Sequence, residues 1–366
     1  MVKNRVVIAM SGGVDSSVAA ALLKAQGYEV IGITMCFGSA VGESSGRRPA
    51  CCGPQAIRDA CRVAKELKIR HYVLNFSKDL EKYVIENFIC EYLSGRTPNP
   101  CVRCNKFIKF GSLVRKARSL DAKFLATGHY AQVEFDKKLK QYQLKKGKDK
   151  TKDQSYFLYS IDKKVLPYVL FPLGNLTKVE VRAQAKKFNL PVSEKPASQE
   201  ICFIPDADYR GFINNRLPRI IRPGPIKDLK GNIIGKHKGI PFYTIGQRQG
   251  LGVSSREPLY VVDINAKDNS IILGNKTDTY SNGLIADKLN LLYPISNRRV
   301  DLNIKIRYNQ PEAKSSVSIL AKNKSKEIQV QVKFKKPLSS VAPGQAVVFY
   351  KGDIVVGGAT IIEAIK

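Results

Sequence analysis

The stretch that most constrains the fold lies at residues 6–27, where an apolar β-branched run meets a glycine-rich turn and then an amphipathic segment. Val6-Val7-Ile8-Ala9-Met10 is short and wholly apolar, as a strand buried on both faces must be. Ser16 to Gln26 carries Val18, Leu22 and Leu23 on one side and stops at Gly27, a C-cap residue. Between them lies Ser11-Gly12-Gly13-Val14-Asp15-Ser16. Backbone N–H groups at a helix N-terminus point at whatever sits above such a loop, and the helix dipole favours an anion there. Asp15 would repel a phosphate unless Mg²⁺ lay between them. No Gly-Lys-Ser/Thr follows, so this is not a Walker A loop.

Further short apolar runs follow: Glu29 to Met35, His71 to Phe76 and Phe124 to Tyr130, with a helical pattern at Gln55 to Leu67 and a basic helix around Lys109 to Leu120. Strands alternating with helices predict an α/β domain with a doubly wound parallel sheet. Ligands bind beyond the carboxyl ends of such strands, so Ala9, Met10, Met35, Gly128 and His129 should face one crevice. A polar hairpin is expected at Ala131 to Lys145. Thr177-x-x-Glu180 reads as a capping box opening a helix to Phe188. From Ile220 onward short alternating runs replace helices, predicting a small mainly-β domain and then a β-barrel or sandwich. The expected division is 1–203, 204–284 and 285–366.

The 366 residues carry 61 Lys and Arg against 31 Asp and Glu, a net charge of +30. Such an excess favours polyanions, chiefly through counterion release from phosphates. The run Lys145 to Lys152 abuts Asp153-Gln154-Ser155, polar groups suited to nucleic acid, although a charge run is more often a solvated face. No stretch approaches a membrane span, and the first strand begins by Arg5, leaving no room for a targeting segment; a cytoplasmic chain is expected.

Eight cysteines in such a chain argue against a disulfide framework. Cys61 shares a helical face with Ile57, Ala60, Ala64 and Leu67, and Cys90 lies within Leu80 to Leu93; both are expected to pack structurally. Arg47, Arg48, Cys51 and Cys52 fall in a long Gly/Ser-rich loop, Gly38 to Gly53, with the arginines either on phosphate or merely solvated. Thr97-Pro98-Asn99-Pro100-Cys101-Val102-Arg103-Cys104-Asn105-Lys106 is a second anchor, where two prolines should hold both cysteines on a rigid loop. The flanking cations of Arg103 and Lys106 favour a Cys104 thiolate, which suits a nucleophile. A zinc knuckle would need a second Cys-x-x-Cys. Cys101, Cys104 and Cys202 as ligands of a [4Fe-4S] cluster with one open iron remain an alternative. His237 is expected to position backbone or phosphate, and Gln247 and Arg248 to stabilise a link between domains or touch RNA.

SGGVDS after a buried strand resembles the pyrophosphate loop of the adenylating ATP pyrophosphatases. SGGVDSS, TPNPCVRCNKFIKF, ATGHYA, KDQSYFL, SQEICFIP and YTIGQRQGLG together, in this order, resemble the bacterial tRNA-specific 2-thiouridylases along essentially the whole chain. The resemblance implies an ATP-pyrophosphatase domain, a small central domain and a C-terminal β-barrel. It implies ATP-dependent sulfur insertion at the 2-position of the wobble uridine in tRNAs for Lys, Glu and Gln, with ATP and Mg²⁺ as cofactors. The sulfur would arrive from a sulfur-relay protein or cysteine desulfurase, and the enzyme would act as a monomer. By resemblance Cys202 carries the persulfide and Cys104 is the nucleophile that releases the sulfur and pairs with Cys202 as a disulfide. Ala9, Met10, Ser11, Gly12, Gly13, Val14, Asp15, Ser16, Met35 and Gly128 match ATP contacts. Asn99, Pro100 and Cys101 match the triplet against the target base, and Lys152, Asp153, Gln154, Arg307 and Tyr308 match tRNA contacts. Many members of the family have Asp where this chain has Cys101.

Overall fold

A parallel sheet organises the first half of the chain in the computed structural model, which describes residues 4–38, 53–196, 201–204, 208–217, 219–295, 297–322 and 327–366. The chain divides into two compact units, one of residues 1–84, 101–208 and 353–355, the other of 85–100, 209–352 and 356–366. In the first unit β1 (Arg5–Ala9), β2 (Glu29–Cys36), β3 (Arg70–Asn75), β4 (Phe124–Ala126) and β7 (Val169–Leu170) form a sheet of order β3-β2-β1-β4-β7. All four pairings are parallel. The order reverses at β1, with β2 on one side and β4 on the other, and a ligand crevice opens at such a switch point. Val6, Val7 and Ile8 are fully buried, as their unbroken apolar run requires.

Helix α1 (Val14–Ala25) follows β1 and packs Val18, Ala19, Ala20 and Leu23 into the core, while α2 (Pro54–Glu66) contributes Ala60, Val63 and Ala64. The hairpin β5 (Ala131–Asp136) and β6 (Gln141–Lys146) follows β4. Helix Lys178–Lys187 opens on the capping box expected of Thr177 and Glu180.

Three expectations need correction. Cys61 and Cys90 are exposed rather than packed inside. On α2 the buried stripe runs through Ala60, Val63 and Ala64, and Cys61 sits just off it, about 100° round from Ala60. Cys101 and Cys104 are not on a loop. Pro100 starts a helical turn (Pro100–Arg103), which runs on as a π-helical stretch (Cys104–Ser112) and an α-helical one (Leu113–Arg118). Proline is preorganised for the first helical position, so the extended segment ends at Asn99. The fourth strand stops at Ala126, short of the expected Tyr130. Arg47, Arg48, Cys51, Cys52 and Ser198 to Glu200 lie outside the described residues.

In the second unit β8 (Gly224–Lys227), β9 (Ile233–His237), β10 (Tyr260–Asn265) and β11 (Ser270–Gly274) form a sheet of order β10-β11-β8-β9 over a core of Ile226, Val261, Ile271 and Leu273. Six strands follow: β12 (Tyr280–Leu291), β13 (Arg299–Lys305), β14 (Ala313–Lys322), β15 (Ile328–Ser339), β16 (Ala346–Lys351) and β17 (Ile354–Ile365). Their order is β12-β15-β14-β13-β16-β17, and β17 pairs back onto β12, closing a barrel around Leu284, Ile304, Val330 and Phe349. Closure removes the sheet edges that open β-sheets must otherwise protect.

Candidate active site

Residues 10–16 form the centre of the site. Met10 N–H donates to the Ile33 carbonyl at 2.8 Å, extending β1 by one residue before the chain turns. The Ser16 hydroxyl donates to the Gly13 carbonyl at 3.2 Å and accepts the Ser11 N–H at 3.1 Å, so it locks the turn from inside. Ser11 is exposed while Gly12, Val14 and Ser16 are buried. Gly12 adopts a φ of +67°, a conformation that disfavours any side chain. Gly128, just past β4, approaches the start of α1 so closely that a Cβ there would lie 2.8 Å from the Ser16 nitrogen. This places Gly128 against Asp15 and Ser16; Met35 is half-buried near the end of β2.

Asp15 is held from two other elements. Its Oδ1 accepts the Tyr130 hydroxyl at 2.7 Å and lies 2.5 Å from the Lys178 ammonium. Burial first, and then the Asp15 charge, push the Tyr130 phenol upward, so it stays a donor. A second lysine, Lys195, donates to the Gly12 carbonyl at 3.0 Å and pairs with Asp59 at 2.7 Å. Asp59 is itself held by the Gln55 amide. Of the hydroxyls of Ser11 and Ser16, that of Ser11 is on the exposed side of the loop, and the loop's one acidic side chain is already paired with an ammonium. Neither lysine was legible beforehand, because each comes from more than 160 positions away.

His129 is half-buried against Phe110 and Phe171. The Lys109 ammonium, which can only donate, lies 3.3 Å from His129 Nε2, so Nδ1 carries the hydrogen and donates to the Thr127 hydroxyl at 2.7 Å. Burial, and secondarily Lys109, hold the His129 pKa well below its usual value, so the ring is neutral at pH 7. With its lone pair engaged by Lys109, His129 positions that lysine rather than serving as a base.

Cys104 is buried at the head of the π-helical stretch, Cys101 is exposed and Cys202 is partly exposed; all three belong to the first unit. Beside Cys104, buried Asn105 donates to the Phe157 carbonyl at 3.0 Å. Among the described residues no three His, Cys, Asp or Glu side chains converge to hold a metal ion.

The residues expected to contact tRNA fall into two groups. Asp153 is buried and accepts from the Gly147 and Ser155 N–H groups and the Ser155 hydroxyl, and the Gln154 side-chain oxygen accepts the Tyr130 N–H. These side chains build the turn that carries Tyr130, while Lys152 is partly exposed beside them. In the second unit the Arg307 guanidinium donates to the Ile245 and Ser340 carbonyls, and Lys305 lies over the Tyr308 ring. Gln345 donates to the Thr97 and Pro98 carbonyls, fixing the approach to Asn99 and Pro100. His237 bridges the Gly239 N–H and the Asn269 carbonyl, the backbone role expected of it. Gln247 accepts the Thr244 N–H and donates to Gln249.

One feature escaped the sequence. Tyr83 and Phe107 stack at 5.1 Å between centroids, 12° from parallel. Lys82 lies over Tyr83, and Arg103 and Lys106 lie over Phe107. Both rings are half-exposed. Only the local cluster of cations around Phe107 hinted at this platform.

Comparison with known proteins agrees with this architecture. Residues 4–206 match the tRNA methyl transferase HUP domain, 210–275 the tRNA methyl transferase PRC-barrel domain and 281–361 the aminomethyltransferase beta-barrel domain. The class so defined is a HUP-type α/β domain followed by two β domains. A tRNA-specific 2-thiouridylase of Natranaerobius thermophilus is 47% identical over 368 residues, covering 100% of this chain and 99% of that one. One from Caldanaerobacter subterraneus is 48% identical over 367 residues and covers both chains fully. The chain belongs to the tRNA-specific 2-thiouridylase family. A solved 4-thiouridine synthetase with RNA and ATP is more distant, at 19% identity and a TM-score of 0.34 over 59% of this chain and 51% of that one.

Proposed function

We propose that the protein is an ATP-dependent tRNA sulfurtransferase that converts the wobble uridine of tRNAs for Lys, Glu and Gln to 2-thiouridine. The observation that supports this reading is the glycine-rich turn at residues 11–16, at the switch point of a parallel sheet, in the same compact unit as Cys104 and Cys202. The division of labour follows as 1–203 for adenylation and thiolation, 204–284 as a linking domain and 285–366 as a barrel for tRNA.

The uracil 2-oxygen is a poor leaving group. Its attack on the α-phosphate of ATP, held over Ser11 to Ser16, releases pyrophosphate and leaves an oxygen that can depart with AMP. The loop N–H groups and Lys178 and Lys195 stabilise the phosphate charge that shifts in that step. Mg²⁺ would arrive on the triphosphate with Asp15 as the nearby carboxylate, and would neutralise phosphate charge. The terminal sulfur of a Cys202 persulfide, supplied by a relay protein or desulfurase, then attacks C2 and AMP leaves. Cys104 thiolate attacks the inner sulfur of that adduct, which frees the thiouridine and leaves a Cys104–Cys202 disulfide for an external thiol to reduce. The target base must leave its stack to be reached, and Asn99, Pro100 and Cys101 are proposed to lie against it. No step runs through an iron–sulfur cluster.

Unmodified tRNA, ATP and a persulfide donor, with thiouridine read by gel retardation, test this reading. Cys104→Ser and Cys202→Ser should each abolish thiolation and leave tRNA binding nearly unchanged. Normal turnover in either variant overturns it.

A further inference from the structure

Three side chains outside the proposed reaction, those of Thr34, His71 and Cys61, form one line that ends on the Met10 carbonyl of the first unit. The Thr34 hydroxyl lies 2.9 Å from the Met10 carbonyl and 2.9 Å from His71 Nε2, and His71 Nδ1 lies 3.5 Å from Cys61 Sγ. The proton positions follow from which groups can only accept. The Met10 carbonyl has no hydrogen, so Thr34 donates to it and must accept from His71. His71 is then the Nε2–H tautomer, and its Nδ1 lone pair faces the Cys61 thiol. Burial lowers the His71 pKa, so the ring is neutral with that lone pair unprotonated, though less basic than a solvated imidazole. The ring is also wedged in place: a Cβ on Gly32 would lie 2.9 Å from His71 Cδ2 and 2.6 Å from Met10 Sδ.

A nucleophile within reach of a base, with the base oriented by a third group, is the arrangement by which proteins activate thiols. Cys61 is exposed, whereas Thr34 is 1% exposed, so the orienting end is inside and the reactive end faces solvent. We propose that Cys61 is a reactive thiol, with His71 as its base, that undergoes mixed-disulfide formation with small disulfides. In that step the Cys61 proton passes to His71 Nδ1 as the thiolate attacks one sulfur of the disulfide. The old S–S bond breaks, a new one forms to Cys61, and the departing thiolate takes the proton from His71. No other oxidant is needed. An adduct there sits at one end of a hydrogen-bonded line whose other end is the residue preceding Ser11.

The molecule contains its own control. Cys90 is also exposed, but no imidazole bonds its thiol among the described residues. Full-length protein is incubated with bis(2-hydroxyethyl) disulfide, acid-quenched over time and mapped by peptide mass spectrometry. Cys61 should be modified about tenfold faster than Cys90, and His71→Asn should bring its rate down to that of Cys90 with the circular dichroism spectrum unchanged. Equal rates at Cys61 and Cys90 in the unaltered protein overturn the proposal, as does an undiminished Cys61 rate in a folded His71→Asn. The first comparison needs no variant, so it decides the matter if His71→Asn misfolds. Neither measurement uses tRNA or ATP turnover, so failure here and failure of the sulfurtransferase reading are separate results.

Discussion

The Lys178 ammonium lies 2.5 Å from the Asp15 carboxylate, although the two are 163 residues apart. Asp15 stands in the first turn of the helix that the phosphates approach in the proposed reaction. Without Lys178 its charge would repel them. Lys178→Met should weaken ATP binding about 10- to 100-fold, or ~1.4–2.7 kcal/mol, as read by calorimetric titration. Adding Asp15→Asn should restore part of the loss, because the repelling charge goes too.

Gly128 has no room for a side chain. Gly128→Ala would set a methyl 2.8 Å from the Ser16 nitrogen, against backbone that cannot turn away. The start of α1 would have to shift from β4. A stability loss of about 1–3 kcal/mol is expected, with ATP no longer raising the melting temperature.

Glu180 ties the helix carrying Lys178 to its own cap. Chiefly the Thr177 N–H, and next the Lys148 ammonium, lower its carboxyl from the ordinary 4.5 to about 2. The unfolded chain therefore binds the proton more readily. The contribution is complete above about pH 4.5 and is lost as the pH falls through about 2. Urea midpoints measured from pH 6 to 2 should fall less steeply for Glu180→Gln than for the unaltered protein.

The Tyr83–Phe107 platform, with Lys82, Arg103 and Lys106 over its rings, suits a stacked base beside phosphates. Stacking contributes about 1–3 kcal/mol per base. Phe107→Ala should therefore weaken tRNA binding about 5- to 100-fold and leave ATP affinity unchanged. Lys106→Gln should lower the salt slope of tRNA binding by about one. Filter binding over a series of salt concentrations measures both.

The parallel sheet was legible because β1, β2 and β4 are buried apolar runs whose side chains leave little choice of environment. The loop at 11–16 was legible because its glycines and hydroxyls are contiguous in sequence. Lys178 and Lys195 were not, since nothing local distinguishes them from the many other lysines of this chain. Cys61 was misplaced because a helical period locates a stripe to within a residue, and one residue is about 100° of rotation. Past the end of β4 Gly128 packs on the start of α1, a tertiary contact that an apolar run in the sequence does not record.

The winding at Cys104–Ser112 carries its own consequence. A π-helix bonds each N–H five residues back instead of four. Side chains along this stretch are thus spaced around the axis differently from the 3.6-residue turn that helical templates assume. Removing one amino acid there would let the backbone relax to ordinary α-helical pitch, with each N–H bonded four residues back and the side chains of Cys104 to Ser112 re-aimed. Anyone shortening, cross-linking or grafting this segment has to count in fives.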